Sequence, residues 1–260
     1  MGEAMIAQTY ALYKREVLKL FRSRYMWLML VAQPLMWIVF FGNSLAGLPR
    51  GFLAQYFGVE NYLAYILPGM ISISMMTTGM FASMSLVFDK RVGYLKRVLT
   101  TPTPKSAVLL AKAAGAMTRG LLMVPIILAA GAALGVGYRV NPASLAAWLL
   151  ALVLAGVGFA SLFTLFTVNT ADVHAPGVIS NFITMPLMFT STALFPREFF
   201  PQWLKAISEV NPLTYVTELG RDALVYGAPP DPSALLYTAI FAAATLSMGV
   251  AAVEAKLTAD

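Results

Sequence analysis

Six lysines and arginines lie within the twenty-five residues from Phe88 to Lys112, in a chain that is otherwise poor in charge. Side chains of this kind bind anions, whether lipid headgroups or carboxylates on another protein. Chemistry that makes or breaks bonds has little to work with. The 260 residues hold no cysteine and one histidine, His174, so thiolate nucleophiles and disulfides are excluded and a histidine-based metal site has no second ligand. Ser161 with His174 is the one serine–imidazole pair on offer, and no Gly-x-Ser-x-Gly surrounds that serine. A membrane-embedded hydrolase is the alternative those two residues leave. There is also no Gly-x-x-x-x-Gly-Lys-Ser/Thr loop, nor any Gly-Lys pair, so this chain does not encode a phosphate-cradling nucleotide site.

The elements that must position the basic cluster follow from composition. Hydrophobic residues make up 59% and charged residues 12%, against about 25% charged in soluble domains, and the mean hydropathy is +0.73. The chain reads as an all-α integral membrane protein. Six segments are long and apolar enough to span: 25–46, 62–87, 117–137, 144–168, 177–195 and 233–254. Pro34, Pro68, Pro125 and Pro186 interrupt four of them. With the N-terminus inside, thirteen Lys/Arg fall on the inner side and five (Arg50, Arg139, Arg197, Lys205 and Arg221) on the outer side. That bias predicts cytoplasmic N- and C-termini. The net charge of +6 then reflects cytoplasmic loops facing anionic lipid, and no nucleic-acid partner is implied. The first strongly apolar run begins near Tyr25, too late and too long for a cleavable signal. The organisation is a cytoplasmic N-terminus over 1–24 followed by one six-helix membrane domain over 25–260.

Tyr10–Arg24 reads as an amphipathic helix lying on the membrane surface. Leu12, Val17, Leu20 and Phe21 form an apolar stripe, and Lys14, Arg15, Lys19 and Arg22 a basic face. In the basic loop, Val92–Leu99 forms about two helical turns with Val92, Leu95, Val98 and Leu99 on one side, and Pro102 and Pro104 stop it. Such a helix between two spans is a lever, although a basic loop that merely anchors topology fits the same residues. The long loop after the fifth span carries Trp203, Leu204 and Ile207 at helical spacing, then Asn211-Pro212, a helix start with Asn at the N-cap and Pro at the first position. Two short helices dipping into the outer leaflet are expected there. Met76, Met80 and Met84 in the second span, with Asn181, Thr184 and Met188 in the fifth, are candidates for a substrate path lined by adaptable side chains. Ordinary helix packing explains them equally well. Arg119, near the start of its span, is expected to snorkel to the interface.

Three stretches together carry a resemblance. Asp89-x-x-x-Gly93-Tyr94-Leu95-Lys96-x-x-Leu99-x-x-Pro102, with Ser106 and Lys112 beyond it, resembles the cytoplasmic motif of ABC type-2 exporter permeases. Pro68-Gly69 resembles the Pro-Gly near the start of their second helix. Pro196, Pro201, Trp203, Asn211-Pro212, Tyr215 and Arg221 resemble their extracellular re-entrant segment. The order is right and the match covers essentially the whole chain, with the small permeases of drug, Nod-factor and polysaccharide exporters as the most similar group. In one departure, Arg91 and Val92 stand where many relatives carry an acid just before the motif glycine. The resemblance implies that Asp89, Arg91, Gly93, Tyr94, Leu95, Lys96, Leu99 and Pro102 couple to a separate cytosolic ATP-binding subunit. It implies that Lys14, Arg15, Lys19 and Arg22 belong to the connecting helix beside them. It also implies a dimer of permease chains with two ATP-binding subunits in the cell membrane, ATP and Mg bound by the partner and no cofactor bound here. Outward movement of an amphipathic, lipid-like, drug or glycan-type cargo by alternating access would follow. An ion-coupled secondary transporter is the main alternative; no internal repeat or buried charge chain favours it.

Overall fold

The computed structural model describes residues 2–44, 47–101, 103–170, 172 and 174–256, and every regular element among them is helical. In chain order α1 is Gly2–Arg22 and α2 is Arg24–Met36. A π-helical turn, Trp37–Phe41, follows Pro34 by less than one turn and leads into α3, Gly42–Ser44. Next come α4 (Arg50–Phe57), α5 (Tyr62–Arg91), α6 (Tyr94–Leu99), α7 (Lys105–Ala133) and α8 (Pro142–Thr167). The remaining α-helices are α9 (Ala175–Thr190), α10 (Gln202–Glu209), α11 (Pro212–Arg221) and α12 (Pro232–Lys256), with a 3-10 turn at Arg197–Phe199 and a second π-helical turn at Asp222–Tyr226.

Helices α5, α7, α8 and α12 are long and apolar enough to cross a membrane. The two other expected spans are less regular. The first is a helix interrupted by the π turn, and its expected end at Leu45 and Ala46 lies outside the described residues. The fifth ends at Thr190 rather than Phe195, leaving α9 with 16 residues, about 24 Å of helix against a hydrocarbon core of about 30 Å. The third expected span is longer than its apolar run, because α7 begins at Lys105 without a break before Met117.

Asparagine caps set the starts of α5, α8 and α11. Asn61 Oδ1 accepts from the Leu63 amide at 2.9 Å, and Asn141 Oδ1 from the Ala143 amide at 3.0 Å. At the start of α11, Asn211 Oδ1 accepts from the Leu213 amide at 2.9 Å while its Nδ2 donates to the Leu187 carbonyl at 2.7 Å. One buried side chain thus serves the first turn of α11 and the last turn of α9.

Between those helices, residues 191–196 leave helical geometry inside the protein. Arg221, 1% exposed, serves their carbonyls: Nη2 donates to Thr192 O at 2.5 Å, and Tyr62 OH donates to Leu194 O at 2.8 Å. The guanidinium also donates to the Tyr65 carbonyl at 3.2 Å, to Glu218 at 2.8 Å, and stacks 3.6 Å from the Tyr65 ring centre. Arg221, expected in an outer loop, is therefore a buried cross-link between α5, α11 and this segment. The segment reaches α5 at Gly69, where a Cβ would stand 2.2 Å from the Ala193 carbonyl oxygen. Gly69→Ala is expected to lower stability by about 1–3 kcal/mol, the cost of overpacking against atoms that cannot yield. Gly137→Ala, which would add its methyl to open space, serves as the neutral control in thermal unfolding in detergent.

Candidate functional site

The basic loop folds against the end of the bundle where α5 finishes. Gly93 takes φ 73°, a left-handed conformation that side chains other than glycine's disfavour, and the chain turns there into α6. The helix begins at Tyr94 rather than Val92, and Val92 is exposed instead of joining the apolar side. Leu95 is 2% exposed and packs among Leu86, Val108, Leu109, Val168 and Val253. Val98 and Leu99 flank that cluster. The apolar face of α6 is thus covered by this chain's own helices, while Arg91, Lys96 and Arg97 project outward. Pro102 lies outside the described residues.

Behind α6 sits a buried charge cluster. Lys112, 4% exposed, donates to Glu16 Oε1 at 2.8 Å, to Asp89 Oδ2 at 2.5 Å and to Ser85 Oγ at 2.7 Å. All three ammonium protons are used. Asp89, 2% exposed, also takes a two-pronged contact from Arg15, Nη1 to Oδ2 at 2.8 Å and Nη2 to Oδ1 at 3.1 Å. Lys19 donates to Glu16 at 3.0 Å and lies 3.4 Å from Asp89. The cluster joins α1, α5 and α7, and Arg15 extends it to α6 by stacking 3.5 Å from the Tyr94 ring centre.

The α1 helix differs from expectation in extent and in the use of its basic face. It begins at Gly2 rather than Tyr10 and breaks at Ser23, one residue before α2. Arg15 and Lys19 pair with buried carboxylates, whereas Lys14 and Arg22 stay exposed. These four line an open groove of about 680 Å³ along α1. Tyr13 OH meets Thr118 Oγ1 at 2.9 Å, and a Cβ on Gly115 would stand 2.8 Å from Glu16 Cβ, so α1 packs closely along α7. Arg119 does not snorkel. It is 5% exposed, with Nε and Nη2 lacking a hydrogen-bond partner.

Glu16 is a site residue that sequence reasoning passed over, and Lys112, named there only at the end of the cytoplasmic motif, is the centre of the cluster. The available signal was the placement of Lys112 and Arg119 seven residues apart, on one face of an otherwise apolar helix. The remaining candidates are dispersed. Met76 is buried in the main core, Met80 and Met84 are half-buried, Asn181 is exposed, and Met188 is 8% exposed. Thr184 Oγ1 is buried without a partner. Among the outer candidates, Asn211, Pro212 and Arg221 are buried, Pro196 is buried beside them, Tyr215 is half-buried, and Pro201 and Trp203 are exposed. Ser161 is fully buried and His174 exposed at the start of α9.

The family model described as ABC-2 type transporter matches residues 7–225. The chain belongs to that family. It is similar to the putative transport permease ycf38 of Porphyra purpurea, 30% identical over 82% of this chain and 72% of the relative. The corresponding protein of Cyanophora paradoxa is 29% identical over the same shares. It is also similar, at 25% identity over 75% of this chain and 67% of the relative, to the daunorubicin resistance ABC transporter permease protein DrrB1 of Streptomyces coeruleorubidus. As an ABC-2 member the chain is a multi-pass membrane subunit of a transporter, a permease component whose family implies an ATP-binding partner.

Burial alone would raise the Glu16 carboxyl, but Lys112 and Lys19 outweigh it and hold the group below its ordinary value. Its contribution to stability is therefore present above the ordinary carboxylate range and is lost only as pH falls through the depressed value. Protection of α1 from proteolysis is expected to persist in mild acid down to that range. Asp89→Asn, which removes one buried partner of Lys112 and Arg15, is expected to cost about 3–5 kcal/mol and to expose α1. Arg91→Gln, on the exposed side, is the control and should shift stability by less than about 0.5 kcal/mol.

Proposed function

We propose that this chain is the membrane-spanning permease subunit of an ATP-driven exporter in the cell membrane. The observation that carries the reading is the state of α6. Its apolar face is locked against four other parts of the chain, and its cationic face, with Arg91, Lys96 and Arg97, is free for another body. In this reading α6 is the coupling helix and α1 the connecting helix, domain 1–24 leading into a membrane domain over 25–260. The α2–α3 stretch and α9 complete six spans, with both termini cytoplasmic and α10–α11 forming the re-entrant outer segment.

Two permease chains work with two copies of an ATP-binding subunit, which carry the ATP and Mg. Closure of the nucleotide-binding pair pushes on α6. Because Leu95 is buried and Arg15 ties Tyr94 to the charge cluster, the push passes to α1, α5 and α7 together and alternates access to a central path. Supporting a drug-like or otherwise amphipathic cargo is the similarity to a daunorubicin resistance permease, together with methionines along α5 and α9.

The test reverses the exposed charges without touching the core. Lys96→Glu combined with Arg97→Glu should leave the melting temperature unchanged while lowering co-purification with the ATP-binding subunit and ATP-dependent export by about tenfold or more, since like charges replace complementary ones. Leu95→Asp should instead unfold the α6 end. Undiminished assembly and export in the charge-reversed protein would sink the coupling assignment.

A further inference from the structure

At the end of the bundle away from α6, a cavity of about 460 Å³ opens between α4, α5, residues 192–198, α10, α11 and the start of α12. Its volume is in the range of small-molecule sites. Aromatic rings make one part of its wall: Tyr56, Phe57, Tyr65, Tyr215 and Tyr226. Carboxylates make another: Glu198, Glu209, Glu218 and Asp231. We propose that this cavity binds an organic cation, a ligand carrying an ammonium or guanidinium group.

The charges around the cavity do not cancel. Among the described residues Arg197 is the one cation on the wall, and it is paired with Glu209. Arg221 lies beneath, 1% exposed, with its donors spent on Glu218, Thr192 and the Tyr65 carbonyl, so it offers no seat for an anion. Glu198 and Asp231 have no cationic partner in any ion pair among the described residues. The excess of negative charge is felt next door: burial, then repulsion from Glu218 and Asp231, pushes Asp222 up to about 6 despite the neighbouring Arg221.

The rings are suited to the same ligand. The negative face of an aromatic ring attracts a cation, most strongly where water is excluded. One ring of the wall already does so within the fold, because the Arg221 guanidinium stacks on Tyr65. Two others are fixed in place before any ligand arrives. Tyr215 OH donates to the Glu209 carbonyl at 2.6 Å and Tyr226 OH to the Phe57 carbonyl at 3.1 Å. Tyr56 is held by ring contacts to Phe52 and Phe199, 4.7 Å and 5.6 Å between centres. Preorganised walls reduce the ordering cost of binding. Neutral apolar ligands would gain from the rings but not from the carboxylates, and anions would be repelled.

The test uses the full chain in phosphatidylglycerol nanodiscs, with choline as the cationic probe and 3,3-dimethylbutan-1-ol as its neutral isostere, both followed by saturation-transfer NMR against empty nanodiscs. Choline is expected to bind about tenfold or more tightly than the isostere. Glu198→Gln and Tyr56→Leu, both at the open rim and checked for an unchanged melting temperature, should each weaken choline about threefold or more and leave the isostere unaffected. Phosphatidylcholine added to the nanodiscs identifies the source of the cation. Displacement of free choline assigns the site to a lipid headgroup, and no displacement to a soluble cation; both support cation recognition. Equal binding of the two probes, no choline binding above empty nanodiscs, or two variants that bind choline as well as the parent would overturn the proposal. Because the permease is measured alone, the result is separate from coupling to an ATP-binding subunit.

Discussion

The arrangement around α6 depends on the burial of one ammonium group. Lys112 is taken out of solvent between Glu16 and Asp89, with Ser85 accepting its third proton. Removing an ion from water costs several kcal/mol, and only well-placed opposite charges with every donor satisfied offset it. Here the carboxylates come from α1 and α5 and the ammonium from α7. No two of these helices can satisfy the group alone, so the placement of each is a condition for the other two. An amphipathic helix that would otherwise adsorb loosely to a membrane surface becomes a fixed part of the body. The small residue Gly115 and the Tyr13–Thr118 contact keep α1 close enough for this to hold.

The opposite end solves a related problem with the opposite sign. Residues 191–196 leave the helix within an apolar protein, and their carbonyls need donors because hydrocarbon supplies none. Arg221 and Tyr62 supply them. The guanidinium suits the task because its donors form a planar fork that can serve several oxygens while its face rests on Tyr65. Arg221 neutralises only Glu218 among the carboxylates of the adjoining cavity, and its remaining donors are held by the backbone carbonyls.

Much of the fold was legible in the sequence because its signals are local. Apolar runs announced α5, α7, α8 and α12, and the Asn211-Pro212 pair announced the start of α11. The limits were also local in origin. Whether helix continues past Thr190 depends on how residues 191–194 meet Arg221, thirty residues away, and hydropathy does not report that. The helical spacing of Leu95, Val98 and Leu99 correctly implied a face to be covered, but not that the chain itself covers it. Val92 was misplaced on that face because Gly93 turns left-handed between it and the helix. Glu16 was passed over because an acid between basic residues reads as an ordinary intrahelical partner, and its decisive contact is with a lysine 96 residues on.

The inward commitment of α6 constrains how force can travel through it. Leu95 is spent on the cluster with Leu86, Val108 and Val253, and Tyr94 on Arg15. On the proposed reading a partner grips the exposed cationic surface, and gripping a surface moves a body as a whole instead of rearranging its interior. The buried ion cluster favours the same outcome, since separating any one helix from it would strand a charge in low dielectric at a cost of about 3–5 kcal/mol. Arg119 sharpens the constraint: its partly unpartnered guanidinium already burdens the interface of α7, which leaves less margin for a further unpaired charge nearby. On the proposed reading, α1, α5, α6 and α7 are built to tilt together, and any flexibility that transport needs must lie where helices are interrupted, as at the π turn after Pro34 and the break after Thr190.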